Sequence, residues 1–289
     1  MLASGQVRLF GGLRLLTPDA KSIILSGKKE KELMAAIAIE QGEAVSRERI
    51  ACDLWDGDDF AARRSLNTAL WRLRKSVREV GVDCDDWFDT GADYIRLRRR
   101  RGPEVDVVVM QEDISRFRSG VADPAAVAEC LSTLSGALLP NISADWLTDR
   151  RRAVEHEIVN ASVEIADSLL TKEPNWAIEL TNAVIKVDPY EERAWRALMS
   201  AYLLSGRQAM AHAAYSKLVD LLSGDLGIEP SSETKALLQA KTPQSVDTGP
   251  AAGALLNRDI LSGRLETLSD ALSLVLQELE GIRLDLENI

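Results

Sequence analysis

The chain is poor in the side chains that most often carry chemistry. It has two histidines, His156 and His212, far apart and without metal-ligand spacing around them, so the sequence offers neither a metal centre nor a His-based catalytic site. Its three cysteines, Cys52, Cys84 and Cys130, are odd in number and unclustered, which reads as reduced thiols of a cytoplasm. No phosphate-binding loop is present, because Gly27-Lys28-Lys29 lacks the upstream glycine such a loop requires. No apolar run approaches a membrane span, and the opening MLASGQVRLF lacks a signal peptide's apolar core. Without a nucleophile–base pair, metal cluster or cofactor motif, the expectation is a cytoplasmic protein that is no enzyme and has no catalytic residue, metal, cofactor or membrane partner.

What is present is length for two domains and a segregated charge. The net charge is −10, yet residues 1–103 hold 19 Lys and Arg against 16 Asp and Glu, a net of +3, while residues 104–289 carry −13. Local charge decides phosphate binding, and the basic share surrounds one stretch, FAARRSLNTALWRLRKSVREV over 60–80. There Leu66, Leu70, Leu73 and Val77 recur on one helical face. The other arc holds Arg64, Asn67, Thr68, Trp71, Arg72, Lys75 and Arg78, flanked by Arg63 and Arg74. Arg and Lys can fork onto guanine, Asn onto adenine, and a Thr methyl can touch thymine. An ordinary amphipathic surface helix has the same pattern, so the surroundings decide.

Short apolar runs at 7–10, 13–16 and 22–25 predict a small antiparallel sheet, with Gly11-Gly12 as a turn. Helices are predicted over 29–41 and, after a Ser46 cap, over 47–55. The basic helix follows, then strands over 87–90 and 94–97 about Gly91-Ala92-Asp93. Sheet, three helices and terminal hairpin are the order of a winged helix-turn-helix. From about Val105 to residue 241 nearly everything reads as helix, including AVAECLSTLSGALLP. A weak offset of 34 residues pairs Leu169 and Leu170 with Leu203 and Leu204, Ala177 with Ala211, and Val184 with Leu218, the period of a tetratricopeptide (TPR) helix pair. Trp146, Trp176 and Trp195 read as packing residues of these helices.

On VRLFGGLRLL, VSRERIACDLW, SLNTALWRLRKSV, DTGADYIRL and VDVVVM, residues 7–118 resemble the OmpR-type winged helix of the SARP family of bacterial transcriptional activators. SGALLP, DWLTDRR, VDPYEERAWRALMSAYLLSGR and YSKLVDLLSGDLGIEPSSET resemble the bacterial transcriptional activator domain that follows it in that family. The resemblance implies double-stranded DNA as partner, with direct repeats read in the major groove by the basic helix. It also implies wing contacts, here from Tyr94 and Arg96, and a helical domain facing RNA polymerase or a second copy. One departure stands out: Asp93 precedes Tyr94 where the family wing usually has glycine, while Arg98 to Arg101 lie just beyond. Those arginines read either as replacement phosphate contacts or as a solvated turn joining two domains.

Residues 242–254 have the composition of a flexible linker. Beyond them Leu261, Leu265, Leu268, Leu272, Val275, Leu279, Ile282 and Leu286 form a heptad seam, which predicts homo-oligomerisation through a C-terminal coiled coil. Leu274, Leu276 and Leu284, outside the seam, fit the other reading, a helix folded back on its own body. The expected fold is mostly α with a small β component: a winged helix over 1–103, a TPR-like domain over 104–241, the linker, and a coiled-coil helix over 255–289. The expected function is a sequence-specific DNA-binding transcriptional regulator. The competing expectation is a protein-interaction scaffold whose winged helix has lost DNA binding.

Overall fold

The structure, a computed structural model, describes residues 5–40, 42–55 and 59–239. The linker and the heptad seam lie outside them. At the N-terminus β1 (Gln6–Arg8) and β2 (Arg14–Leu16) pair antiparallel, with Val7 opposite Leu15, and β3 (Ser22–Ile23) extends the sheet beyond β2. Val7, Leu15 and Ile23 point into the core and their neighbours point out, the period-2 alternation of a half-buried sheet. β1 is shorter than its apolar run because the N–H groups of Leu9 and Phe10 leave the ladder and donate to the Asp106 carboxylate. The turn falls at Gly11 (φ +75°) and Gly12 (φ +114°), where positive φ calls for glycine.

Next come α1 (Lys28–Ala38), β4 (Val45–Ser46), α2 (Arg47–Leu54) and α3 (Asp59–Glu79). The Ser46 hydroxyl caps α2 by accepting the Arg49 N–H. A one-turn helix, α4 (Cys84–Trp87), leads into the hairpin β5 (Phe88–Thr90) and β6 (Tyr94–Leu97). Trp87 therefore closes a helix rather than opening the strand expected over 87–90. β4 pairs with the far side of β6, giving the order β4-β6-β5. Two residues are too few to show alternation, so β4 left no trace in the sequence pattern.

β7 (Glu104–Val105) then returns to the N-terminal sheet and runs parallel to β1. The helices that follow are α5 (Asp106–Arg118), α6 (Pro124–Leu131), α7 (Asp145–Leu169), α8 (Pro174–Val187), α9 (Glu192–Leu204), α10 (Gln208–Leu221) and, after a π-helical turn over Leu222–Leu226, α11 (Ser232–Gln239). From α7 to α10 each packs on the next. The 34-residue offset maps the end of α7 and α8 onto α9 and α10, with Ala177 and Ala211, and Val184 and Leu218, fully buried at matching positions. Trp195 is buried, and Trp146 and Trp176 are partly buried against the same core.

One helix is shorter than expected. α6 stops at Leu131, and the rest of AVAECLSTLSGALLP is irregular, with Gly136 and Leu139 at positive φ. Its backbone bonds go elsewhere: Leu139 N–H donates to Leu9, Ala137 accepts from Gly11, and Phe10 and Leu138 form a bridge. Arg151 secures the segment by donating to the carbonyls of Leu138, Leu139 and Ile142, while Glu155 accepts the Leu138 N–H. Glu40, just after α1, pairs with both Arg49 of α2 and Arg150 of α7. The chain through Leu238 is accordingly one compact unit.

Candidate nucleic-acid interface

The basic helix is α3. Leu66, Leu70, Leu73 and Val77 are buried, the last two completely, so the opposite arc is turned outward. Arg63, Arg64, Asn67, Thr68, Trp71, Arg72, Lys75 and Arg78 are all exposed. Trp71 is 60 % exposed, and the Lys75 ammonium lies 5.6 Å from its ring centroid. An indole held at the surface beside a cation, with no apolar cover, is a poor packing residue and a ready contact for a ligand.

The exposed residues differ in what they already hold. The Thr68 hydroxyl donates to the Arg64 carbonyl one turn back. Arg72 lies 3.9 Å from Glu30, a buried carboxylate in the first turn of α1. Lys75 is 3.7 Å from Glu79, and Arg63 is 4.0 Å from Glu48. The Lys75 and Arg63 pairs, exposed on both sides, are weak and exchange readily for phosphate, whereas Arg72 faces a carboxylate that is itself buried. Arg74 stands apart. It is mostly covered, donating to Asp85 at 2.7 Å and to Thr90 at 3.3 Å, and it fastens α4 and the hairpin to α3.

At the N-terminal end of the exposed face the hairpin closes on α2. The Asp93 carbonyl accepts the Arg47 N–H at 2.9 Å, and Arg47 in turn donates through its guanidinium to Asn67 Oδ1 at 2.5 Å. Arg47, Arg63, Asn67 and the 91–93 turn thus line one groove. Arg47 escaped the sequence pattern because it belongs to α2. The signal that could have found it is its place immediately after the Ser46 cap, in the turn that faces α3. A second groove, on the other side of α3, is lined by Lys28, Arg64, Thr68 and Arg72.

On the hairpin, Asp89 gathers the candidates. Its carboxylate is 2.6 Å from Arg96 and 3.8 Å from Arg98, and it accepts the Tyr94 hydroxyl at 3.3 Å. The Arg96 guanidinium, more than any other neighbour, holds Asp89 below the usual carboxylate range. Among the described residues no group of His, Cys, Asp and Glu is placed to hold a metal, and no helix is long and apolar enough to cross a membrane. Burial pushes the Cys130 thiol up to about 12, which leaves it a poor nucleophile.

Two family models match this chain. Residues 21–90 match the C-terminal domain of transcriptional regulatory proteins, and residues 105–240 match the bacterial transcriptional activator domain. The transcriptional regulatory protein MoaR1 of Mycobacterium tuberculosis is 23% identical over 245 residues, covering 80% of this chain and 77% of that protein. The transcriptional regulatory protein EmbR of the same species is 24% identical over 245 residues, covering 79% of this chain and 61% of its own length. A solved structure of M. tuberculosis EmbR in complex with a low affinity phosphopeptide superimposes with a TM-score of 0.56 at 23% identity, covering 82% of this chain and 64% of that one, a likeness of fold. With a DNA-binding winged helix of the OmpR type followed by a bacterial transcriptional activator domain, the chain belongs to the SARP-type transcriptional regulators.

Proposed function

We propose that this regulator is an activator that binds promoter repeats through α3 and presents its helical part to RNA polymerase or to a second promoter-bound copy. The observation that carries the reading is the outward face of α3, which displays Arg64, Asn67, Thr68, Trp71, Arg72 and Lys75 with their backs to a buried leucine stripe. Base edges in the major groove are recognised by such donors, while Arg63, Arg78 and the hairpin cations Arg96 and Arg98 serve the phosphates. Residues 1–103 carry recognition, residues 104–241 carry the partner surface, and the seam from Leu261 to Leu286 pairs two chains.

The test is binding of the full chain to genomic DNA fragments across a salt titration, followed by transcription from the enriched promoters with purified RNA polymerase. Selective binding with a steep salt slope and increased transcription are expected. Binding without selectivity removes the base-reading role of α3. Selective binding that lowers transcription removes the activator role. Absence of DNA binding favours the scaffold alternative.

A further inference from the structure

The Arg47–Asn67 hydrogen bond decides which face an asparagine on α3 offers to a base. A guanidinium has donors only, so the amide must turn Oδ1 toward Arg47 and Nδ2 away from it. Asparagine reads adenine with both ends, Oδ1 accepting from N6 and Nδ2 donating to N7. A cationic donor already holds one lone pair of Oδ1, so an adenine N6 amino group brought to the other would face the positive charge of the guanidinium, and that arrangement is disfavoured. What the pair offers best at the surface is donors, Nδ2–H from Asn67 beside the remaining N–H groups of Arg47. Guanine is the base whose major-groove edge offers two acceptors, N7 and O6.

We infer that Arg47 and Asn67 act as one reading unit from two helices, and that Arg47 switches the base preference of Asn67 from adenine to guanine. The inference rests on the proposed reading of bases by α3. Three features keep Arg47 in place. Its backbone N–H is held by the Asp93 carbonyl at the hairpin tip, 2.9 Å away. It sits in the first position of α2, directly after the Ser46 cap. The adjacent carboxylate on its own helix, Glu48, faces Arg63 at 4.0 Å, and among the described residues no ion pair draws Arg47 from the amide. The hairpin tip therefore contributes to recognition through its backbone, by positioning Arg47, whatever the charge of the Asp93 side chain.

The experiment selects binding sites from a randomised duplex library with the full-length protein and with its Asn67→Ala, Arg47→Ala and Arg47→Met variants. The two Arg47 variants keep the backbone bond to Asp93 and the α2 cap, and methionine also keeps an unbranched stem of similar length. Asn67→Ala is expected to flatten one base position that is guanine in the wild-type sites. Both Arg47 variants are expected to move that same position toward adenine, changing the G-to-A ratio by about tenfold or more. If Asn67→Ala alters no position, base reading by Asn67 fails and the inference with it. If Asn67→Ala flattens a position that the Arg47 variants leave unchanged, or if they weaken all sites equally, Arg47 is only a phosphate contact. The inference then falls while base reading by α3 stands. A wild-type preference for adenine at that position also overturns it.

Discussion

Asp106, the first residue of α5, accepts hydrogen bonds from the backbone N–H groups of Leu9 at 2.8 Å and Phe10 at 3.1 Å, 97 and 96 residues earlier in the chain. A side chain beyond the winged helix thus completes the N-terminal sheet, beside β7. Removing it orphans two backbone donors, each costing about 1–3 kcal/mol. Asp106→Ala should lower the urea midpoint clearly without altering DNA contacts per folded molecule. By the same reasoning a fragment of residues 1–103 should fail to fold, whereas one of residues 1–241 should fold. A well-dispersed NMR spectrum from the shorter fragment would refute this.

Arg64 and Arg74 are equally basic residues of the same helix, yet opposite outcomes are expected. Arg64→Ala should leave the melting temperature unchanged and cost about 1–3 kcal/mol of specific binding, with relaxed preference at one base position. Arg74→Ala breaks the bonds to Asp85 and Thr90 and should cost stability of about 1–3 kcal/mol, leaving binding by the folded fraction intact. Thermal melts and salt-controlled binding curves on both variants separate the two. Equal loss of affinity in both would show that Arg74 leaves its partners for DNA.

Asp89 restrains the hairpin arginines. Asp89→Asn should release Arg96 and Arg98, tighten DNA binding mostly at low salt, and steepen the salt slope by about one unit for each new phosphate contact. Unchanged binding would mean the hairpin does not reach phosphate. The same clamp has a pH signature. At neutral pH Asp89 is ionised whether folded or unfolded, so its contribution to stability is complete. In acid the unfolded chain is protonated first, and the contribution is lost as pH falls through the depressed folded value. Wild type and Asp89→Asn should therefore differ at pH 7 and converge below the ordinary carboxylate range.

Asp93→Gly removes an exposed negative charge from the hairpin tip and keeps the carbonyl that holds Arg47. Tighter binding that fades with salt is expected, because screening shortens the reach of an exposed charge. An equal gain at high salt, or a loss, would reject the electrostatic account.

Deletion of residues 255–289 tests the heptad seam. A flexible linker of thirteen residues, as the composition of 242–254 predicts, would span about 20 Å root-mean-square, enough to separate pairing of the tails from the orientation of the winged helices on DNA. The deletion should sediment as a monomer, bind paired sites less tightly, and keep the same repeat orientation. A full-length monomer would refute the pairing, and a switched orientation would refute the independence.

The two faces of α3 were legible in the residues alone. A helical period assigns each side chain an angle, and Leu66, Leu70, Leu73 and Val77 leave only one arc to bury. The Ser46 cap and the small residues Ala177 and Ala211 were readable for the same reason, since each answers to chain geometry within a few residues. What each side chain does at its angle was decided by segments distant in sequence. Arg74 is spent on Asp85 and Thr90 because α4 and the hairpin fold back over that flank, and Arg64 is not. SGALLP stays irregular because Leu9 and Gly11 supply its hydrogen bonds, a partnership no local propensity encodes. Arg47 meets Asn67 only because α2 packs across α3 and the hairpin tip holds its amide. Periodicity is a property of one segment, whereas the partner of a donor is a property of the packing, so the sequence alone determined the two faces of α3 and the tertiary structure decided which of its outward side chains are already held by other segments.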